Sequence, residues 1–418
     1  ITANTVQNAH SLYAVNPVLV DVVRMQLDTL MADKVPQAIK IGLIASDAQL
    51  LLLIDWLASL KQSHTSPKVI FDPVGQASVG GKFAALSDKY LQQFCALCDV
   101  VTPNLTEAHQ LLASSQAEDA VNINAQVYAE RLSMRWHNTV VVKGGHSDEP
   151  QTTDCAASYE HKAHYRLSSS RVATSFSHGG GCAFASALAT FMARGYLFRD
   201  AFTLAKAFMQ QGLSSQAGKL NYYGAFEVLG WPDEKQYFPT VQSTVNQQYA
   251  SLGSFPSLEL PTDANSNSKL GLYPVVNSVA WIERLLPANL NIIQLRLKQL
   301  PKEQVRAQIS QAVALCRGSN TRLFINDYWQ LAIELGAYGV HLGQEDLADA
   351  DLAAIHASGL RLGISTHGCY EFLLAQQLSP SYLAIGAIFP TKTKDMTGQI
   401  QGIDNLRHVL KLRQNIPV

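Results

Sequence analysis

The stretch RLFINDYWQLAIELGAYGVHLGQ, residues 322–344, reads as one strand–helix–strand unit. RLFIND (322–327) is a short apolar run ending in two polar residues, and GVHLGQ (339–344) is a second such run. Tyr328–Leu335 between them has helical spacing. A helix linking two strands is the usual way to make them parallel neighbours.

The same rhythm extends in both directions. LGLYPVV (270–276) and NIIQLRL (291–297) precede this unit; RLGIST (361–366) and YLAIGAIF (382–389) follow it. Helical segments such as Lys302–Cys316 and Cys369–Gln377 lie between the runs. Six β/α units at this spacing predict a (β/α)8 TIM barrel, incomplete here. The final NIPV reads as the opening of a seventh strand, so the expectation is a chain cut before the barrel closes.

In a barrel the carboxyl ends of the strands share one mouth. Gln294, Arg296 and Lys298 leave the second strand, and Asn326 and Asp327 end the third. Gln344 and Asp346 follow the fourth, Ser365 and Thr366 end the fifth, and Thr391, Thr393 and Lys394 follow the sixth. Cations and hydroxyls suit phosphate oxygens, and paired carboxylates suit a hard cation such as Mg2+. His341, inside GVHLGQ, is read as structural.

The first half alternates less strictly. IKIGLIA (39–45), KVIFDPV (68–74), DVVTPN (99–104) and TVVVKGG (139–145) are separated by helical patterns. This predicts a mostly parallel, doubly wound sheet with its ligands at the strand ends. Asp72, Asn104, Glu107 and Lys143 fall there. SFSHGGGCAFASALATFMARG (175–195) then places Gly179, Gly180 and Gly181 before Cys182, where a helix begins. Free N–H groups at such a start hold anions, phosphate above all. Taken alone, Glu107 is a first-turn acid stabilised by the helix dipole, and His146 and His178 are backbone hydrogen-bonding groups beside glycine turns. Between the halves, residues 240–269 are rich in Ser, Thr, Asn and Pro and read as a linker, dividing the chain into 1–239 and 270–418.

A net charge of −1 gives no electrostatic case for nucleic acid or anionic membrane. No apolar run approaches the roughly 18 residues of a membrane span. Six cysteines in 418 residues suggest no disulfide framework, and Cys95 and Cys98 recur with Leu91 and Phe94 at helical spacing. That pair is read as packing, and the compartment as a reducing cytoplasm.

QLRLK (294–298), FINDYWQLA (324–332), GVHLGQEDL (339–347), LGISTH (362–367) and IGAIFPTKTK (385–394) together resemble thiamine phosphate synthase. The resemblance implies condensation of 4-amino-5-hydroxymethyl-2-methylpyrimidine diphosphate with thiazole phosphate. It casts Asp327 and Asp346 as Mg2+ ligands, and Arg296, Lys298, Asn326 and Lys394 as pyrophosphate contacts. Gln294 and Ser365 would face the pyrimidine, and Thr391 and Thr393 the thiazole phosphate.

KIGL (40–43), DPV (72–74), VTPNLTEA (101–108), VVVKGGH (140–146) and HGGGC (178–182) resemble hydroxymethylpyrimidine and phosphomethylpyrimidine kinase, a ribokinase-like family. GWPDEKQYFP (230–239) looks like the tail of that family. The implied reaction is ATP-dependent phosphorylation of the pyrimidine and then of its phosphate. Gly179, Gly180, Gly181 and Cys182 would form the phosphoryl site, with Lys143 neutralising charge. Glu107 and Asp72 would bind or orient Mg2+, Gln7 would hydrogen-bond the pyrimidine, and Leu43 would pack on its ring. Whether Cys182 takes the hydroxyl proton or only orients that hydroxyl stays open at this point. Relative to this family the chain opens after the usual first strand and its glycine-rich loop, so truncation is expected at both ends.

The product of the first reaction is the substrate of the second, which explains the fusion. The expected partners are small molecules, with no nucleic acid and no membrane; a homo-oligomer is compatible with the sequence. A pyridoxal-type vitamin kinase leaves the barrel unexplained. A non-catalytic thiamine-precursor-binding module sits poorly with the retention of Lys143, Cys182, Asp327 and Asp346.

Overall fold

Short β-branched runs form two large sheets, and a two-stranded hairpin makes a third. The computed structural model describes residues 1–8, 10–62, 66–75, 86–113, 124–145, 149–220, 222–259, 271–390 and 400–418. They form two units, Ile1–Gln242 and Ser243–Val418.

In the first unit a hairpin of β1 (Ala3–Gln7) and β2 (Leu12–Pro17) precedes α1 (Val20–Asp33). The sheet holds β3 (Ala38–Ile41), β4 (Lys68–Phe71), β5 (Val100–Val101), β6 (Thr139–Val142), β7 (Gln151–Ser158), β8 (Ala163–Ser170) and β9 (Thr240–Gln242), in that spatial order. The parallel part that the β-α-β rhythm predicts runs from β3 to β6. β7, β8 and β9 extend it antiparallel.

Helices α2 (Asp47–Lys61), α3 (Asp88–Leu97), α4 (Leu105–Ala113) and α5 (Ala125–Trp136) supply one apolar layer. Leu50, Leu57, Phe94, Leu132 and Trp136 pack there against Val69, Phe71, Val101, Val140 and Val142. The alternate strand residues Ile70, Val100 and Val141 are equally buried. Strand alternation turns them to the opposite face, covered by α6 (Gly180–Ala193) and α7 (Phe198–Ser214). Each such fully buried side chain contributes about 1.5–3 kcal/mol of transfer free energy. Cys95 and Cys98 are both buried in this core, where burial pushes their thiols well up, in keeping with a packing role.

The second unit has β10 (Val275–Val276), β11 (Ile292–Leu295), β12 (Arg322–Asn326), β13 (Gly339–Leu342), β14 (Arg361–Thr366) and β15 (Tyr382–Ile385). All are parallel and adjacent in chain order. Its helices are α8 (Thr244–Gln248), α9 (Val279–Leu285), α10 (Lys302–Arg317), α11 (Trp329–Leu335), α12 (Gln344–Asp349), α13 (Leu352–Ala357), α14 (Cys369–Gln376) and α15 (Gly402–Lys411). In a flat sheet the outer two of six strands would stand about 24 Å apart. Tyr273, just before β10, instead meets Tyr382 of β15 hydroxyl to hydroxyl at 2.6 Å. The sheet is therefore curled as in a barrel, and Leu383 N donates to Pro417 O at 2.9 Å beside its last strand. Gly339 and Gly363 make room inside: a Cβ on either would collide with the ring of Phe324 or Tyr382.

Much of the stretch expected to be linker has definite structure. Residues 240–242 are β9, paired with β8. Beyond it, Asn246 Nδ2 donates to Leu374 O, Phe255 N to Ser379 O and Ser381 Oγ to Pro256 O, all within the second unit. Phe255 is buried. A single apolar anchor in polar sequence has no period, so pattern reading could not find it.

Candidate functional sites

In the first unit, adjacent parallel strands bring their carboxyl ends together. Asp72 follows β4, Asn104 lies beyond β5 and Lys143 follows β6; Lys143 N donates to Pro103 O and Asp72 N to Ile41 O. Lys143 Nζ donates to Asp72 Oδ1 at 2.7 Å, with the two side chains only 16% and 4% exposed. Thr102 Oγ1 donates to the same oxygen at 3.2 Å. Burial pulls the Lys143 ammonium down, but Asp72 and then Glu107 outweigh it and hold its pKa above the usual lysine value.

Glu107 and Asn104 form a reciprocal cap on α4. Asn104 N donates to Glu107 Oε2 and Glu107 N to Asn104 Oδ1, each at 2.8 Å. Burial pushes the Glu107 carboxyl up, and the field of Lys143 draws it back in part. Glu107 is thus both a helix cap and a member of the Asp72–Lys143 cluster.

Helix α6 begins over this cluster. Its N-cap, Gly179, has φ +79°, a left-handed conformation natural to glycine. A Cβ on Gly181 would sit 3.4 Å from Lys143 Nζ and 3.8 Å from Asp72 Oδ2. Gly180 N donates to Ser177 O at 3.0 Å. The N–H groups of Gly181 and Cys182 have no backbone acceptor among the described residues, so they are the pair available to an anion. Cys182 is exposed on this first turn. His178 joins Ala225 in a backbone bridge while its ring packs edge-on to Tyr223.

Leu43 is partly buried, and its carbonyl accepts from Thr2 Oγ1 at the base of the hairpin. Gln7 is exposed at the turn end of β1, pairing with Leu12 and carried away from that anchor. His146 lies outside the described residues.

One pair escaped the sequence reading. Gly144 N donates to Asp154 Oδ1 at 2.8 Å, and Asp154 Oδ2 pairs with Lys206 Nζ at 3.0 Å, both side chains 7% exposed. The turn after Lys143 is thereby tied to β7 and α7. The available signal was a lone carboxylate in QTTDCAAS and a lone ammonium in the apolar FTLAKAF, because charges so placed are buried and paired.

In the second unit Asp327 follows β12 with φ +66°, a conformation aspartate tolerates better than most residues. Its N–H donates to His341 O, and its Oδ2 accepts from Lys298 Nζ at 2.6 Å. Asp346, on the first turn of α12, accepts from Gly343 N at 3.2 Å. Burial first, and then the charge and hydrogen bond of the neighbouring Asp327, push the Asp346 carboxyl up. Two carboxylates this close compete for one proton, and a hard divalent cation can take its place. The donor set fits Mg2+. Among the described residues, Asn326 Nδ2 is buried without a hydrogen-bond partner, a donor open to an oxygen. Arg296 is partly buried and Lys298 exposed, one on β11's extension and the other two residues on. Thr391, Thr393 and Lys394 lie outside the described residues.

The barrel interior holds a polar chain. Gln294 Nε2 donates to Tyr273 Oη at 3.2 Å; Tyr273 and Tyr382 share a 2.6 Å hydrogen bond. Tyr382 Oη meets His341 Nδ1 at 2.6 Å, and His341 Nε2 meets Ser365 Oγ at 2.7 Å. Burial holds the His341 pKa down to about 4. Gln344 Nε2 donates to Ser365 O. His341 thus faces inward, and joins two candidate binding residues.

Comparison with known proteins separates the two units cleanly. Residues 1–226 match the family described as phosphomethylpyrimidine kinase, and residues 272–418 the family described as thiamine monophosphate synthase. A thiamine-phosphate synthase of Serratia proteamaculans is 61% identical over 145 residues, 34% of this chain and 68% of that protein. One from Photorhabdus laumondii is 59% identical over 144 residues, 34% of this chain and 67% of that protein. Among solved structures, the pyridoxal kinase of Staphylococcus aureus in complex with ADP is similar at TM-score 0.46 and 22% identity, covering 58% of this chain and 85% of that one. A phosphomethylpyrimidine kinase of Clostridium difficile gives TM-score 0.39 and 22% identity, covering 50% and 84%. No described helix is long and apolar enough to cross a membrane. The chain belongs to the phosphomethylpyrimidine kinase family in its first unit and to the thiamine-phosphate synthases in its second, a bifunctional transferase of thiamine biosynthesis.

Proposed function

We propose that the first unit transfers the γ-phosphoryl group of ATP to hydroxymethylpyrimidine and then to its monophosphate, and that the second condenses the diphosphate with thiazole phosphate. The observation that carries the kinase reading is the Lys143–Asp72 ion pair directly against the glycine start of α6. Phosphoryl transfer needs little covalent help from the protein; it needs positioning and charge stabilisation. The N–H groups of Gly181 and Cys182, with the helix dipole behind them, receive the migrating phosphoryl group. Lys143 offsets its charge. Cys182 orients the attacking hydroxyl, and Glu107 with Asp72 sets the field in which Lys143 stays cationic. Leu43 and Gln7 are assigned to the pyrimidine side.

In the second unit the pyrimidine ring's amino group supplies electrons as pyrophosphate leaves, and the thiazole nitrogen captures the resulting cation. Such a step calls for no side-chain nucleophile. Asp327 and Asp346 are the residues that would hold Mg2+, which neutralises the leaving pyrophosphate when bound. Arg296, Lys298, Asn326 and Lys394 are assigned to the pyrophosphate oxygens, Gln294 and Ser365 to the pyrimidine, and Thr391 and Thr393 to the thiazole phosphate. We assign the protein to the cytoplasm, the compartment that supplies the ATP of the proposed reaction.

The test is a single incubation with hydroxymethylpyrimidine, ATP, Mg2+ and thiazole phosphate. Thiamine phosphate is the expected product. No product, with pyrimidine binding retained, would replace this reading with that of a binding module. Cys182→Ala should abolish pyrimidine phosphorylation and spare condensation of supplied diphosphate.

A further inference from the structure

The buried chain Gln294–Tyr273–Tyr382–His341–Ser365 can carry its protons in one continuous order that starts from Gln294 Nε2 as donor. Gln294 Nε2 is a donor and spends a proton on Tyr273 Oη. Tyr273 has one hydroxyl proton, and either oxygen of its 2.6 Å contact with Tyr382 could donate. With Gln294 already donating to Tyr273, we assign that proton to the bond toward Tyr382 Oη. The proton of Tyr382 is then free for His341 Nδ1, 2.6 Å away. A ring whose Nδ1 accepts is neutral and carries its proton on Nε2. That Nε2–H donates to Ser365 Oγ at 2.7 Å. The hydroxyl proton of Ser365 is left to point away from the chain.

From this we infer that Tyr273, Tyr382 and His341 are positioning residues that fix Ser365 as a hydrogen-bond donor and Gln294 as an acceptor toward the substrate. Gln294 hydrogen-bonds both Tyr273 and Tyr382, which uses both Nε2 hydrogens and leaves Oε1 to offer. An acceptor and a donor held on one wall match an aminopyrimidine edge, whose amino group donates and whose ring nitrogen accepts. The inference rests on the proposed condensation, whose residues Gln294 and Ser365 it connects. Gln294, His341 and Tyr382 are each no more than 5% exposed, so bulk water does not reset the order.

Two measurements on the full chain test it. Histidine-selective 15N NMR reads the His341 tautomer without any turnover; the Nε2–H form is expected, and the Nδ1–H form overturns the inference. The second is a double-mutant cycle on the KM for pyrimidine diphosphate. Tyr382→Phe should raise KM about tenfold with kcat little changed when Ser365 is present, and by no further factor in a Ser365→Ala background. The same rise in both backgrounds would show that Tyr382 acts through packing alone. His341→Gln, which can accept and donate in the same order, should retain most of the affinity that His341→Leu loses; equal losses count against the inference. Far-UV circular dichroism confirms that each variant folds. Absence of thiamine phosphate from the wild-type protein would defeat the proposed function instead, leaving the tautomer result to stand by itself.

Discussion

The two units gather charge at the ends of parallel strands by opposite means. In the first, the groups proposed to take an anion are the backbone N–H groups of Gly181 and Cys182, backed by one buried ion pair, Lys143–Asp72. In the second the charged groups are side chains, with Asp327 and Asp346 close together, Lys298 on Asp327, and Asn326 holding a donor unused among the described residues. A backbone site is indifferent to side-chain chemistry but sensitive to added volume and to helix start. A side-chain site is the reverse. Variants that separate volume from charge therefore test the difference directly.

The largest effect is expected at Lys143. Lys143→Ala removes the only cation placed against the α6 start by the described contacts and strands Asp72 in the interior. Pyrimidine phosphorylation should fall about 10²–10³-fold, as for loss of a charge-stabilising donor. Condensation of supplied diphosphate should be unchanged. The unpaired Asp72 should also cost about 3–5 kcal/mol, and adding Asp72→Asn should restore stability to urea but not kinase activity. Equal loss of both activities would sink the picture of two independent sites.

Next comes the buried ring of His341, which is expected to make the second unit sensitive to acid. Burial lowers its folded pKa to about 4, below the usual histidine value of 6.5. Between those values the unfolded chain binds a proton that the folded one refuses, so acidification from 6.5 toward 4 removes stability. The full interval corresponds to about 3 kcal/mol. Urea unfolding followed at pH 7 and pH 5 should show the loss, and His341→Gln should flatten it. An unchanged slope in that variant would assign the acid sensitivity elsewhere.

Asp346→Asn should lower condensation about a hundredfold and raise the Mg2+ concentration needed for half-maximal rate, leaving the kinase alone. Asn keeps an oxygen for Gly343 N but not the charge that Asp327 now opposes. A variant with normal Mg2+ dependence would remove Asp346 from the cation site.

The same contrast explains what the sequence disclosed. The six parallel strands of the second unit and their polar ends were legible because a residue type at a strand end has a fixed direction. Gly179, Gly180 and Gly181 were legible as a glycine-rich helix start, yet only the folded chain shows Gly180 N spent on Ser177 O. The inward direction of His341 and its chain to Tyr273 depend on sheet curl, which brings together residues 109 positions apart. The Asp154–Lys206 pair joins a strand to a helix 52 residues on (206 − 154). β7 and β8 went unread because their polar composition, QTTDCAAS and AHYRLSSS, lacks an apolar run. Local pattern carries strand ends and helix starts; it does not carry partners chosen by tertiary structure.

The smallest expected effect is also the cleanest statement of the contrast. At Gly180 an added Cβ would lie 3.3 Å from Met209 Cε, the free end of a flexible side chain that can give way. At Gly181 it would stand 3.4 Å from Lys143 Nζ and 3.8 Å from Asp72 Oδ2, on the side proposed for the phosphoryl group. Neither substitution changes charge or hydrogen-bonding capacity, and alanine is the better helix former. Helix stability should therefore rise slightly at both positions. Gly181→Ala should nevertheless slow pyrimidine phosphorylation about tenfold, since a displacement well under 1 Å at a reacting centre is costly. Gly180→Ala should change it less than about threefold. Steady-state kinase rates for the two variants decide the matter. Equal, small effects would mean that the phosphoryl group does not rest against Gly181, and that the backbone of α6 is a helix start without a catalytic share.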